Sequence, residues 1–409
     1  MRKRVRWALM GGVLALAWVP LSMGGSRVEA QAAARGQYDF EDGTQGFSPL
    51  VFKNGALAMD TAATVTVVKD LAKAGQGALS YTYKPEANAY RALMAEATLP
   101  AGTQSVTLWL RSSVRTVLML SLREADGSSY ELPTFVPAHE WVLVSSNLSE
   151  FRPGADSKDE NDKLDVDQVR QIGVLDIANI LVNAPAGALA TDLTSQRQLF
   201  IDDLKFAASR LPQASGDVTA GGQKARLLGN FENGLVDWLP VRVTINNNSP
   251  AFDIFPEGVA LKALTEAAAP GSAKNPLEPG GKGLRATYKR GALEVYAFVR
   301  SFETQPLPAT ADRLRMSINV SQKSLLIVQV KEKDDSEYQY AIAPDNSVGW
   351  QNLDVPLSSL TLGDHSKDEN QKLDPDQIKE VSILDASAFA GVGAADITLD
   401  LDAVYFTVK

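Results

Sequence analysis

The residues with the clearest capacity for chemistry stand in one acidic stretch that occurs twice. Residues 157–176 read SKDENDKLDVDQVRQIGVLD and residues 366–385 read SKDENQKLDPDQIKEVSILD, identical at 12 of 20 positions at an offset of 209. Unrelated stretches of that length share about one position. Asp159, Glu160, Asp165 and Asp167 crowd hard oxygen ligands into one loop, and that is calcium chemistry. The EF-hand pattern D-x-[DN]-x-[DN]-G is absent, which favours the plainer reading of a solvated acidic loop with a helix cap. Asp165 stands three residues before Gln168, and Asp374 three before Gln377, the spacing of a capping box, with Pro375 at the first helical position of the second copy. The spacing predicts a capped helical turn carrying Val169 and Ile172, or Ile378 and Val381, followed by a short buried strand over 173–176 or 382–385.

Other reactive constellations are missing. The two histidines, His139 and His365, do not align between the copies. No G-x-S-x-G, H-E-x-x-H or Walker loop occurs. The absence of cysteine excludes disulfides, thiolate zinc sites, thiol nucleophiles and lipid attachment through sulfur. The reading is non-enzymatic.

The elements that must position these residues follow from the duplication. Residues 1–30 read as a secretory signal: Arg2, Lys3, Arg4 and Arg6, an apolar run over 7–21, and Val28-Glu29-Ala30 as a cleavage site. The apolar run is short for a membrane anchor, and no other segment is long and apolar enough to span a bilayer. Removing the signal takes the net charge from −9 to −13, against nucleic-acid binding. Secretion without cysteine fits a bacterial periplasmic, cell-surface or extracellular protein.

Residues 31–37 read as a disordered N-terminus, 38–206 as a first β-sandwich, 207–226 as a Pro-, Gly- and Ser-containing linker, and 227–409 as a second β-sandwich. Strands are expected at 78–83, 90–96, 105–111, 117–123, 141–144 and 199–206, with Val106, Leu108 and Leu110 on one face and Thr107, Trp109 and Arg111 on the other. Trp141 and Trp350 open apolar strands and are expected in the cores. The insertion at 251–281 holds a short helix expected over 259–268. Many short strands with little helix predict an all-β fold: two tandem antiparallel sandwiches.

Each half begins with FE-(D/N)-G and continues with a strand running from a glycine to a tyrosine, Gly77 to Tyr83 and Gly283 to Tyr288, and an acidic hairpin. W-x-x-(V/L) and L-D-x-D-Q-(V/I) follow, and (I/L)-D-x-(L/V)-x-F closes the half. This order resembles the galactose-binding-like jelly rolls, and within them the carbohydrate-binding modules of β-glucan-active enzymes and the CIA30-type domains. The resemblance implies a two-sheet jelly roll with non-catalytic binding on a concave sheet or on apical loops. It also implies a structural calcium between first and last strands, with Glu41 and Asp202, and Glu232 and Asp402, as the side-chain candidates.

A sugar face needs aromatic platforms and a few fixed polar groups. The candidates are Tyr81 or Tyr83, Tyr90, Trp109, Arg111, Arg123 and Tyr130 in the first half, and Tyr288, Tyr296, Gln329, Lys331, Tyr338 and Tyr340 in the second. Ser317 and Asn319 stand where Trp109 and Arg111 stand, so the stacking residue is not duplicated. Two functions are compatible with the chain. One is polysaccharide or glycan binding by a secreted protein; the other is a structural or protein-interaction scaffold of the bacterial envelope with a protein partner.

Overall fold

The computed structural model describes residues 34–409 except 54–55, 87–88, 155–156, 158, 160, 162, 180–192, 214, 233–237, 247–248, 255, 257–258, 264–281, 302–305 and 365. The signal segment therefore lies outside the described residues, as do Glu160, His365 and most of the 251–281 insertion. The chain divides into two units, Met1–Leu211 and Pro212–Lys409.

The first unit contains β1 (Gln37–Tyr38), β2 (Ser48–Lys53), β3 (Ala56–Met59), β4 (Thr64–Val68), β5 (Ala78–Tyr83), β6 (Ala89–Glu96), β7 (Ser105–Ser112), β8 (Thr116–Glu124), β9 (Ser129–Val136), β10 (Val142–Asn147), β11 (Arg152–Pro153), β12 (Val169–Asp176) and β13 (Arg197–Ala207). One sheet runs β10-β7-β13-β5-β4 with β1 on β13; the other runs β11-β9-β8-β12-β6-β2-β3. The chain crosses between the sheets at most connections, the winding of a jelly roll. Period-2 alternation decides what faces inward. Val106, Leu108 and Leu110 of β7 and Leu118, Leu120 and Leu122 of β8 meet Tyr81, Leu93, Ile172 and Ile201 in one core.

The second unit contains β14 (Gly216–Ala220), β15 (Gln223–Gly229), β16 (Trp238–Asn246), β17 (Ser249–Ile254), β18 (Ala260–Ala263), β19 (Leu284–Arg290), β20 (Glu294–Ser301), β21 (Ala311–Val320), β22 (Leu326–Glu332), β23 (Glu337–Ile342), β24 (Gln351–Pro356), β25 (Thr361–Leu362), β26 (Ile378–Asp385) and β27 (Ala395–Val408). Its sheets run β14-β15-β27-β19-β18, with β21 bridging β27 and β24, and β17-β16-β20-β26-β22-β23-β25. Its core gathers Phe298, Leu314, Ile318, Val328, Val330, Ile383 and Phe406. The layout is that of the first unit, with β15 pairing β27 as β1 pairs β13 and β14 added before it. Both units are all-β antiparallel sandwiches.

Several expectations are corrected. The linker at 207–226 is largely strand: β14 pairs with β15 around a turn at Gly221 and Gly222, and β15 pairs with β27. The glycines and small residues that suggested a linker form that turn. Of the N-terminal segment expected to be disordered, residues 34–37 are pinned: the Arg35 amide donates to Thr98 O (3.0 Å) and the Phe206 amide to Gly36 O (2.7 Å). Where the expected helix of 259–268 is described, it is strand β18, paired with β19. Trp141 and Trp350 are half-buried, not core. The Trp141 ring lies against Phe200, 6.3 Å between centroids. The capped helical turns are single 3-10 turns, Val166–Gln168 and Pro375–Gln377, without a side-chain cap from Asp165 or Asp374. Val169 and Ile172 belong to strand β12 instead.

Both units share one irregularity. β13 breaks register between Asp202 and Lys205, and β27 shifts against β21 near Asp402. Asp203 (φ 48°) and Ala403 (φ 46°) carry the bulges in the left-handed region, as do Phe40 (φ 60°) and Phe231 (φ 59°) at the matched first-strand positions. Side chains other than glycine adopt this conformation only where the surroundings impose it.

Candidate functional site

Three clusters of side chains could carry function. The first is the twice-occurring acidic loop. In the first unit the β8–β9 hairpin reads Glu124-x-Asp126-x-Ser128-x-Tyr130, and in the second the β22–β23 hairpin reads Glu332-x-Asp334-x-Ser336-x-Tyr338. Carboxylate oxygens of Glu124, Asp126 and Asp159 lie within 4.8 Å of one another, and so do those of Glu332, Asp334 and Asp368. The hydrogen bonds match pair by pair. The Asp165 amide donates to Glu124, and the Asp374 amide to Glu332. The hydroxyls of Tyr130 and Tyr338 donate to Asp159 and Asp368. Asn161 Nδ2 donates to Asp165 at 3.1 Å and Asn370 Nδ2 to Asp374 at 2.8 Å.

Glu124 and Glu332 are buried. Burial, with the neighbouring aspartates acting against a donated backbone amide, pushes each carboxyl up to about 7. The sequence reading missed both glutamates. The repeated E-x-D-x-S-x-Y spacing could have found them.

The second cluster holds the expected calcium ligands of the first unit. Glu41 Oε1 accepts the amides of Gln76 (2.6 Å) and Gly77 (3.2 Å). Asp202 Oδ2 accepts those of Lys73 (2.6 Å) and Ala74 (2.8 Å). Both carboxylates thus close on one loop. Gly75 is required there, since its φ is +61° and a Cβ would stand 1.9 Å from Glu41 Oε1. Asp202 is fully buried, and its Oδ1 has no hydrogen-bond partner among the described residues. Burial raises its carboxyl above the usual range. In the second unit Glu232 Oε1 accepts the Lys282 amide, and Asp402 is buried on β27.

The residues expected to form a sugar face do not gather on one. Tyr90 lies half-buried on the outward side of the β6-containing sheet, stacked on Phe52 at 6.3 Å and 28°. Trp109 and Arg111 lie outward on the opposite sheet. Arg123 reaches back along its own hairpin to Gly127 O (3.2 Å). Tyr130, Tyr296 and Tyr338 are buried. Tyr130 pairs with Leu122, and Tyr338 with Val330, both inward residues, so the pleat turns these rings into the core. Tyr296 stacks on buried Tyr288 at 4.4 Å and donates to Lys289 O (2.9 Å). Tyr81, Tyr83 and Tyr288 are buried too, whereas Tyr340 is exposed. Gln329 bonds Gln339 (3.1 Å), and Lys331 is buried beside Glu337 (3.3 Å).

The third cluster is what the structure does assemble. On the outward face of β10-β7-β13, register places Phe200 opposite Arg111, and both Leu143 and Asp202 opposite Trp109, with Trp141 just before β10. The Arg111 guanidinium lies 5.9 Å over Phe200 and the Lys73 ammonium 4.5 Å over Trp109. Leu143 is 44% exposed. Trp141 and Phe200 were absent from the sequence-based candidates, because only register shows them sharing a face with Trp109. In the second unit the same register positions hold Asn352, Ser317, Asn319 and Asp400. Arg285 binds Asp400 through two bonds, 2.7 and 3.0 Å, and Asn319 Nδ2 adds a third at 3.1 Å.

Comparison with protein families and with curated proteins finds no match. Among solved structures, the family 11 carbohydrate-binding module of cellulase Lic26A-Cel5E from Clostridium thermocellum matches at 17% identity over 45% of this chain and 95% of its own, with a TM-score of 0.33. The CBM22-1-CBM22-2 tandem domain of Paenibacillus barcinonensis Xyn10C matches at 11% identity over 93% of this chain and 99% of its own, with a TM-score of 0.29. TmCBM61, in complex with β-1,4-galactotriose, matches at 17% over 42% of this chain and 99% of its own, with a TM-score of 0.27. The chain is thus similar to single carbohydrate-binding modules over less than half its length and to a tandem pair of them over nearly all of it.

Proposed function

We propose that this chain is a secreted, non-catalytic carbohydrate-binding protein whose first unit holds glycan on the outward face of the β10-β7-β13-β5-β4 sheet. The observation that carries the reading is the grouping on that face of Trp109 of β7 and Trp141 just before β10, both half-buried, with the buried Phe200 of β13 against Trp141 and with Arg111 and Lys73 beside them. Ring faces give a flat apolar platform for the C–H face of a sugar, and fixed polar groups take its hydroxyls. The cysteine-free composition and the basic-apolar opening of the sequence support an extracytoplasmic site of action. No helix among the described residues is long and apolar enough to cross a membrane.

A structural calcium in the first unit belongs to this proposal. Glu41 and Asp202 would hold it, and the partnerless, fully buried Asp202 Oδ1 is the atom that fits a cation. An ion there would fasten the 73–77 loop, which carries Lys73 to Trp109. Calcium should raise the melting temperature of the parent, and identical melting of the parent and the Glu41→Ala/Asp202→Ala variant in calcium and in chelator would remove the ion from the proposal.

The binding test is retention on insoluble polysaccharides. Trp109→Ala and Trp141→Ala should each weaken retention by ~10-fold or more, the scale of a buried aromatic anchor. No retention on any polysaccharide would leave the scaffold role as the better account.

A further inference from the structure

We infer that the glycan taken by the Trp109–Trp141–Phe200 face is acidic, a polysaccharide bearing carboxylates, and that Lys73 and Arg111 are the residues that select it. The inference rests on the binding reading above and adds the chemical class of the ligand. The charges of this face carry it. Lys73 and Arg111 are each held over an aromatic ring, and neither reaches a carboxylate within ion-pair distance among the described residues. A ring positions a cation without neutralising it, so the charge remains available to an incoming anion. Two acids beside this face, Asp202 and Asp203, are already engaged. Asp202 is buried beneath the loop, with Oδ2 turned to two backbone amides. Asp203 is held by Lys205 (2.6 Å) and Gln37 (3.0 Å).

The second unit is an internal contrast. There an aspartate, Asp400, replaces Phe200 and a serine, Ser317, replaces Trp109, and Asp400 pairs with Arg285, so at these register positions the equivalent face holds its own counter-ion in place of rings. A pair of unneutralised cations on a chain of net charge −9 is a local reversal of sign. Carboxylates spaced along a polysaccharide complement it, and a bidentate guanidinium contact is the strong form of that pairing.

The test uses the full mature chain with four probes: polygalacturonate, alginate, a neutral β-glucan and a single-stranded oligonucleotide. The expected result is retention on at least one polyuronate ~10-fold tighter than on the neutral glucan. Affinity should fall with salt at a log–log slope on the order of −1 to −2, as expected for about two charge contacts. Lys73→Gln/Arg111→Gln should abolish the preference for polyuronate over neutral glucan and the salt slope while leaving the melting curve unchanged. Equal affinity for neutral and acidic glycans, untouched by the double variant, would overturn the inference and leave glycan binding standing. Tighter binding of the oligonucleotide than of either polyuronate would also overturn it, since the cations would then be reading phosphate. Retention on neither kind of polysaccharide would overturn both readings together. Should the double variant fail to fold, the parent's salt slope on the polyuronates against the neutral glucan decides alone.

Discussion

Glu124 and Glu332 are carboxyls buried among other carboxylates, and the fold holds their proton more tightly than water does, at about 7 against an ordinary 4.5. The stability they contribute is present below pH ~4.5 and is lost as pH rises through ~7, because over that window the folded state binds more protons than the unfolded chain. Thermal melts should therefore show the protein weakening from pH 5 to pH 8. Glu124→Gln keeps an oxygen for the Asp165 amide and removes the like charge, so it should flatten that decline and stabilise the protein at pH 8 by on the order of 1–2 kcal/mol. A Gln variant with the parent's pH profile would contradict this account.

A second buried charge system behaves differently. Asp176 is bound by Arg197, by the hydroxyls of Tyr83 (2.5 Å) and Thr116 (2.8 Å), and by the Ala178 amide (2.9 Å). Arg197→Met should cost about 3–5 kcal/mol in urea unfolding, because it strands a buried carboxylate. Adding Asp176→Leu should recover most of that loss, since the stranded charge is then gone.

Among elements, the bulges of β13 and β27 place one residue of each strand in the left-handed region, where alanine is strained and glycine is not. Ala403→Gly should raise stability by about 0.5–1 kcal/mol, read as a higher urea midpoint; the gain is limited by the added freedom of glycine in the unfolded chain. The strands that alternate cleanly were legible from sequence: β5, β6, β7, β8 and β13 lie where alternation puts them. Strands β2 and β3 were not, because Ser48-Pro49 and the Ala-rich run give no alternating signal and sheet pairing alone fixes them, whereas Thr64-Val65-Thr66-Val67 of β4 alternates and was overlooked. The same physics hid the site. Tyr130 and Tyr338 looked outward as isolated aromatics, but their strand partners are inward leucine and valine, and a ladder's register settles which face a residue takes.

On the scale of the whole molecule the duplication was plain in the two acidic stretches, and both units repeat one strand layout. What similarity between the halves could not convey is their divergence in surface chemistry. Phe52 and Tyr90 on the outward side of the first unit's larger sheet correspond to Val243 and Val295 in the second, and Trp109 and Phe200 on the other sheet correspond to Ser317 and Asp400. At these matched positions one copy has rings and the other does not. Trp350→Ala should consequently leave polysaccharide retention within ~2-fold of the parent, whereas Trp141→Ala should not. Equal losses from the two variants would assign binding to both units.

The buried arginine has moved between the copies. Tyr83 and Asp176 are matched by Tyr288 and Asp385, but the guanidinium comes from Arg197 on β13 in one unit and from Arg290, at the end of β19, in the other. By register, Ile397 stands where Arg197 stands. Tandem copies of one fold are exposed to strand exchange while they fold, because each can complete the other's sheets. Here a hybrid sandwich cannot balance. The body of the first unit closed by β27 would seal in Asp176 with no arginine, and the reverse hybrid would seal in two arginines against Asp385. A carboxylate or guanidinium buried alone is among the most unfavourable defects a protein interior can hold. The displaced arginine therefore acts as a key that marks each closing strand as belonging to its own copy.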